Sequence, residues 1–539
     1  MGAELNIPIL DLVIIIAYLV GIVAVGILAT RKQKLNADNY FLAGRGLRWG
    51  VIGAALFASN ISTIHLVGLA ASGYKEGLVW GNFEWMATFT LILLGLVFAP
   101  FYFKNKISTL PEFLEKRYSP GSRTFLAFMA IIGALFIHIG MSLYAGAAVF
   151  EQFFGIDVLT SIIIISVITT IYTVLGGLKA VVITETIQTV LLLFGAVLVT
   201  IFAILALPEA GIHSFAEFKD ALKPDQLSMI HTDNSSGLAW YAVLLGYPVL
   251  GVWYWCSDQT IVQRVLGAKT LKDAQRGPLF AGLLKILPVF LLVLPGVIAY
   301  VLFGDIIGDD ANQTLPVLIN KLIPTGLKGL ISAGLLAALM STIAAALNSS
   351  ATLVAVDIVK RIKPETSDEK QVKIGRYSAI VVMLLAMLWS TQGGRYSSIF
   401  EAINAIAANL APPITTVFIF GVFWKRGTKQ ASLTTLIFGF TLGAIAFGMD
   451  LPIFGDTKII TETWGIPFMM QAWWLFCICT AVFVAVSLMT PPPVKENIEG
   501  LIWDSPLDVI RGKIVGIGDP RILAAGLILL MGILYAIIG

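Results

Sequence analysis

Ser59, Asn60, Ser62, Thr63 and His65 fall within seven positions of "FASNISTIHLVG" (57–68), between the apolar stretches "VIGAAL" and "VGLAASG". Polar groups are costly in hydrocarbon unless something there needs them. Ser and Asn side chains offer the backbone local hydrogen bonds that compete with a helix, so this segment is suited to unwinding. Unwinding at membrane depth frees carbonyl oxygens, each costing several kcal/mol if unsatisfied, and a bound cation would satisfy them. The same residues also suit a seam of small side chains between packed helices. This stretch alone fits both.

Further along, "GLLAALMSTIAAALNSS" (334–350) places Ala338, Ser341 and Thr342 at i, i+3 and i+4, on one helix face. Two hydroxyls with nearby carbonyls make a small neutral oxygen cage. Such a cage suits a monovalent hard cation better than calcium or magnesium, which favour carboxylates. The alternative is a Ser/Thr seam bonding back to its own helix. Glu84 and Lys285 are ionisable residues in apolar runs. Intramembrane charges usually line a cavity, unless they snorkel to the interface. With His65 and Asn60 they supply carboxylate, ammonium, imidazole and amide, a mixture suited to a neutral polyhydroxylated ligand. Phe83, Trp253, Tyr254, Trp255 and Phe400 offer faces on which a sugar ring can stack; the alternative is an interfacial aromatic belt, as at Trp80. No HExxH, P-loop or GxSxG motif is present, and nothing else points to an enzyme.

The elements that must position these groups follow from composition. The chain has 539 residues, 57% hydrophobic and 13% charged, with a mean hydropathy of +0.87. Soluble domains carry about 25% charged residues, so this is an all-α polytopic membrane protein whose partner is the lipid bilayer. Hydropathy gives about fourteen segments long enough for a ~30 Å hydrocarbon core. They lie near 8–30, 47–73, 79–103, 123–150, 158–176, 180–207, 237–262, 276–303, 326–359, 375–391, 397–424, 431–449, 468–490 and 521–538. Basic clusters such as "TRKQK", "VKRIKPE" and "FWKRGTK" fall on one side and acid-rich loops on the other. Positive-inside ordering then puts both termini on the extracellular or periplasmic side of the plasma (inner) membrane, as an even number of spans requires. The net charge of +3 gives no reason to expect nucleic acid. Cys256, Cys477 and Cys479 lie in apolar runs and read as packing residues. The spans near 47–73 and 237–262 are polar at mid-length and each opens a set of five. That is the pattern of an inverted-repeat transporter with broken helices at a central site. The expected division is a peripheral first helix and link (1–44), a first five-helix repeat (45–207), an outer loop (208–236), a second repeat (237–450) and peripheral C-terminal helices (451–539).

Together "FASNISTIHLVGLAASG", "FEWMA", "STLPEFLEKRY", "WYWCSDQTIVQR", "LKILPVFLLVLPG", "MSTIAAALNSSATL" and "APPITTVFIFGVFWKR" resemble the sodium/solute symporter family, in its sodium/glucose cotransporter branch. The resemblance spans about 45–427 and implies a LeuT-like core of five plus five inverted helices, with broken first and sixth core helices. It implies a sodium site formed by the backbone of Ala58, Ile61 and Ala338 with the hydroxyls of Ser341 and Thr342. The sugar pocket it implies contains Asn60, His65, Glu84, Tyr254, Trp255 and Lys285, with Trp253 in the same aromatic cluster. The implied gates are Leu69, Phe83 and Phe400 outside and Tyr254 inside. Two-sodium relatives carry an Asp and hydroxyls where this chain has Glu185, Ala344 and Ala345, which implies one sodium per sugar. Glu185 alone either attracts a cation or proton, or sits at a wet helix end. The expected function is sodium-driven hexose import by alternating access, by a monomer or weak homodimer. The alternatives are a symporter for myo-inositol, sialic acid or another solute of the family, and a sugar sensor or leak channel on the same fold.

Glucose and galactose carriers of the family have Gln where this chain has Asn404, one methylene shorter. If that amide sets sugar choice, Asn404→Gln shifts the ranking of glucose, galactose and inositol in competition assays while sodium affinity without sugar holds. An unchanged ranking removes Asn404 from the pocket.

Overall fold

The computed structural model describes residues 8–31, 34, 36–233, 237–391, 399–450 and 458–539, the side chains of 152–154, 399–402, 497 and 506 excepted. Eleven helices in it are long and apolar enough to cross a membrane, and a bent pair makes twelve. The elements that matter for the site are α1 (Ile9–Thr30), α2 (Trp49–Asn60), α3 (Thr63–Glu76), α4 (Asn82–Leu93), α5 (Pro120–Glu151), α6 (Val158–Ala206), α7 (Trp240–Gly251), α8 (Gln259–Leu266), α9 (Leu271–Leu284), α10 (Leu327–Thr352) and α11 (Ile403–Phe423). The segments expected from hydropathy map onto these twelve, with two exceptions. The segments near 158–176 and 180–207 adjoin within α6, whose 49 residues are two helices joined across a kink at Gly177. The segment near 237–262 is divided between α7 and α8. Gly177 marks the join in α6. Its φ of 59° suits glycine, and a Cβ there would lie 2.4 Å from the Tyr40 carbonyl oxygen.

Both polar spans are interrupted. Between α2 and α3 the axis turns by 65°. Ile61 (φ −77°, ψ 99°) and Ser62 (φ −96°, ψ 173°) carry the extended backbone. Ser62 starts α3 with a reciprocal cap: its N–H lies 3.4 Å from His65 Nδ1, and its Oγ lies 3.1 Å from the same atom. The second span passes from α7 through a π-helical stretch, Val252–Ser257, to Asp258 (φ −81°, ψ 124°). Asp258 accepts the Thr260 N–H at 2.6 Å and so caps α8. Side-chain donors brace the carbonyls along this span: Tyr102 donates to Cys256 O at 2.7 Å and Thr415 to Val249 O at 2.6 Å.

α10 is the rigid wall beside the first break. Every residue from Ile331 to Thr352 in it is buried. Asp11 of α1 accepts the N–H groups of Gly326 and Gly329 at 2.8 and 2.6 Å. A carboxylate at the start of α10 satisfies donors its first turn leaves free and favours its positive end. α2 is held from the other side by Thr189 of α6, which donates to Ala54 O at 2.8 Å.

Candidate functional site

The break between α2 and α3 faces α10 through oxygens. Ser341 Oγ lies 2.8 Å from both Ala58 O and Ala338 O. Thr342 Oγ1 lies 3.1 Å from Ser59 O and 3.3 Å from Ala338 O. Ala58, Ile61, Ala338, Ser341 and Thr342 are all buried. The hydroxyls therefore turn outward to the neighbouring helix's carbonyls as well as back to their own. That is more than a self-bonded seam. All the donor atoms gathered here are neutral oxygens, the set that suits a monovalent hard cation. One turn further, Thr63 Oγ1 donates to Leu335 O at 2.9 Å and fixes the start of α3 against α10.

A cavity of about 120 Å³ opens beside this break. Asn60, His65, Phe83, Glu84, Trp253, Tyr254, Trp255, Lys285 and Asn404 all border it. Glu84 and Lys285 are 2% and 1% exposed, so neither snorkels. Lys285 Nζ donates to both Glu84 Oε2 and Asn60 Oδ1, and Asn60 Nδ2 donates to Tyr254 OH at 3.1 Å. The ammonium also lies 5.4 Å from the Trp255 ring centre, within cation–π range. Local sequence explains why Lys285 projects here. Pro288 lacks the N–H that would bond the Leu284 carbonyl, so the helix loosens just where Lys285 closes α9. Trp85 Nε1 takes up the nearby Ile286 carbonyl at 3.3 Å. Phe83 stacks on Trp80 at 5.6 Å, and the Tyr247 hydroxyl donates to Phe83 O at 3.0 Å. Trp80 thus packs inside the protein and is no belt residue: it is 9% exposed.

Two expected gate residues stand apart. Leu69 is fully buried in an apolar cluster with Leu66, Ala70 and Val293 and does not border the cavity. The Phe400 side chain lies outside the described residues.

Glu185 is neither lone nor at a wet helix end. It is fully buried and paired with Arg264 of α8, whose Nη2 and Nε reach its two carboxylate oxygens at 2.5 and 3.3 Å. Arg264 Nη1 also donates to Thr260 O. The sequence places Arg264 in a basic cluster on one side of the membrane, which conceals this bidentate role. His138, Ser142 and Tyr247 border the cavity as well. His138 was legible by the same signal as Glu84, an ionisable side chain inside an apolar run, "GALFIHIGMS".

Two mid-span breaks, a neutral oxygen cage and a cavity lined by buried polar groups define a membrane-embedded solute carrier. The model of the sodium:solute symporter family matches residues 40–439, and the chain belongs to that family. It is 32% identical over 538 residues to sodium/glucose cotransporter 1 of Oryctolagus cuniculus, covering 92% of this chain and 81% of that protein. It is 35% identical over 551 residues to a sodium/mannose cotransporter of Bos taurus, covering 94% and 92%. Among solved structures it is similar to a Na+-coupled sialic acid symporter in a substrate-bound outward-open state. The TM-score is 0.76 at 22% identity, over 90% of this chain and 99% of that one. The protein is a sodium-coupled solute transporter and not an enzyme.

Charge-assisted hydrogen bonds to a ligand contribute roughly 1.5–3 kcal/mol each. Glu84→Gln and Lys285→Ala are therefore expected to weaken binding of the expected sugar by about tenfold or more, measured by calorimetry with sodium present. Unaltered affinity in both variants, at normal yield of folded protein, shows that the pair serves only the fold.

Proposed function

We propose that this protein imports a hexose or close polyol, driven by one sodium ion per sugar. The observation that carries the substrate reading is the Lys285–Glu84–Asn60 cluster facing the cavity beside aromatic rings. Ammonium, carboxylate and amide together match hydroxyls, which both donate and accept, better than they match one fixed charge. Sodium would sit where Ala58, Ile61 and Ala338 carbonyls meet the Ser341 and Thr342 hydroxyls, its charge replacing the hydroxyl protons as the partner of the released carbonyls. Because Asn60 belongs to the same break, an ion there would steady the residue that holds Lys285 and Tyr254. Release of sodium to the low-sodium side would loosen that contact and free the sugar. The inward side is the one rich in Lys and Arg, which places both termini outside, in the plasma (inner) membrane.

The single-sodium reading is supported by Arg264. Its guanidinium already occupies the Glu185 carboxylate, and Ala344 and Ala345 offer no side-chain oxygen. A second ion would have to displace a bidentate buried pair, and breaking such a pair costs about 3–5 kcal/mol.

Sodium-dependent uptake of a panel of labelled sugars into proteoliposomes tests the substrate class, and accumulation of none contradicts it. Reversal potentials, read while sodium and sugar gradients are varied, test the ratio. One charge crossing 100 mV yields about 2.3 kcal/mol and a tenfold sodium gradient about 1.4, limiting accumulation to roughly 500-fold for one sodium. Two sodium ions would square that limit, and a two-to-one reversal potential overturns the single-site reading.

A further inference from the structure

His138 belongs to α5 but lies on a π-helical stretch, Ala134–Met141, within it. Such widenings are frequent at functional sites because they re-aim one side chain. His138 is buried yet borders the cavity, and Ser142, one turn on, borders it too. The His138 Nε2 atom is 3.2 Å from Asp258 Oδ2. A carboxylate only accepts, so Nε2 carries the proton and, in the uncharged ring, Nδ1 is left as an acceptor. Asp258 is itself fixed by the Thr260 N–H, so the imidazole is held from the start of α8. The Tyr254 ring lies 6.1 Å away and limits how the imidazole can turn.

The rest of the cavity makes this acceptor matter. Lys285 brings donors only. His65 Nδ1 is taken up by the Ser62 N–H, which leaves Nε2–H as that ring's donor. Asn60 Oδ1 and Glu84 Oε2 already receive the ammonium. Each hydroxyl of a polyhydroxylated solute donates as well as accepts, so each fixed acceptor on the cavity wall, the Glu84 carboxylate included, can pair with one of its protons. His138 lies on a different helix from every one of these groups and adds an acceptor on another wall of the cavity.

We infer that His138 is a specificity-determining residue for the transported solute, accepting a hydrogen bond from one hydroxyl while Asp258 holds its tautomer. The inference rests on the polyhydroxylated-solute reading above. A site that pairs with a particular hydroxyl discriminates against the analogue lacking it, because its own polar group is then stranded.

The test uses the full-length protein in proteoliposomes. The probes are whichever of glucose, galactose, mannose and myo-inositol accumulates best, together with its monodeoxy analogues, one per ring position. In the unsubstituted protein the analogue lacking the partner hydroxyl has a KM raised about 3–10-fold. In His138→Phe the parent sugar shows that same rise, and removing that one hydroxyl costs nothing more. The maximal rate and sodium-only charge movement hold, and the other analogues keep their penalties. If the Phe variant does not reach the membrane, His138→Gln carries the same series, and the penalty at one ring position alone changes. An unaltered set of penalties in the variants, or a loss of maximal rate with KM kept, overturns the inference. Absence of any accumulation by the unsubstituted protein overturns the sugar reading, and this inference with it.

Discussion

Two residues of extended backbone, Ile61 and Ser62, interrupt a helix that is buried on both sides. The carbonyls released before them must find partners inside the protein, because no water in the bilayer core supplies any. Much of the fold answers that requirement. α10 brings two hydroxyls to Ala58 and Ser59, Asp11 pins the start of α10, and Ser62 with His65 restarts the helix. The hydroxyls are serviceable but replaceable partners: each can surrender its proton's bond to a carbonyl and accept an ion instead. This exchange of partners is what the proposed sodium site would use.

Charge is distributed around the breaks in two buried pairs. Glu84 with Lys285 joins α4 to the end of α9 and touches Asn60 of α2. Glu185 with Arg264 joins α6 to α8. Buried ion pairs are weak contributors to stability, since desolvation offsets most of their attraction, whereas loss of one partner is costly. What they contribute here is placement. Lys285 of the first pair reaches the first break through Asn60, and Arg264 of the second ties α8, which follows the second break, to α6, so both interrupted spans are held by groups that cannot be separated cheaply. The difference between the pairs is exposure to the cavity: Lys285 and Glu84 border it, and Arg264 and Glu185 do not. One pair is available to a solute and the other is closed upon itself.

Much of this was legible in the residues. The polar interruptions of two apolar runs pointed to the broken helices, because short polar side chains compete for backbone hydrogen bonds whatever their tertiary surroundings. The i, i+3, i+4 spacing of Ala338, Ser341 and Thr342 pointed to one helix face for the same local reason. What local pattern could not supply was pairing across the fold. Glu185 reads as an isolated acid, and Arg264 as one more basic residue at a membrane face, because 79 positions separate them. Leu69 reads as a gate only by resemblance, and in the fold its side chain is absorbed into apolar packing. Hydropathy divides α6 in two, and the non-helical backbone of Gly177 marks the kink between its two helices. His138 carries the same signal as Glu84, an ionisable side chain inside an apolar run.

The central claim is that sodium is held where the first break meets α10. The most direct measurement is the sodium dependence of charge movement without sugar, in proteoliposomes, for Ser341→Ala, Thr342→Ala and the double variant. Each hydroxyl contributes one contact to a charged group, worth roughly 1.5–3 kcal/mol. The half-saturating sodium concentration is therefore predicted to rise about tenfold or more in each single variant and further in the double. Sugar KM at saturating sodium should stay near that of the unsubstituted protein. A sodium dependence that is the same in the double variant as in the unsubstituted protein contradicts the account, because the cage would then not be where the ion binds.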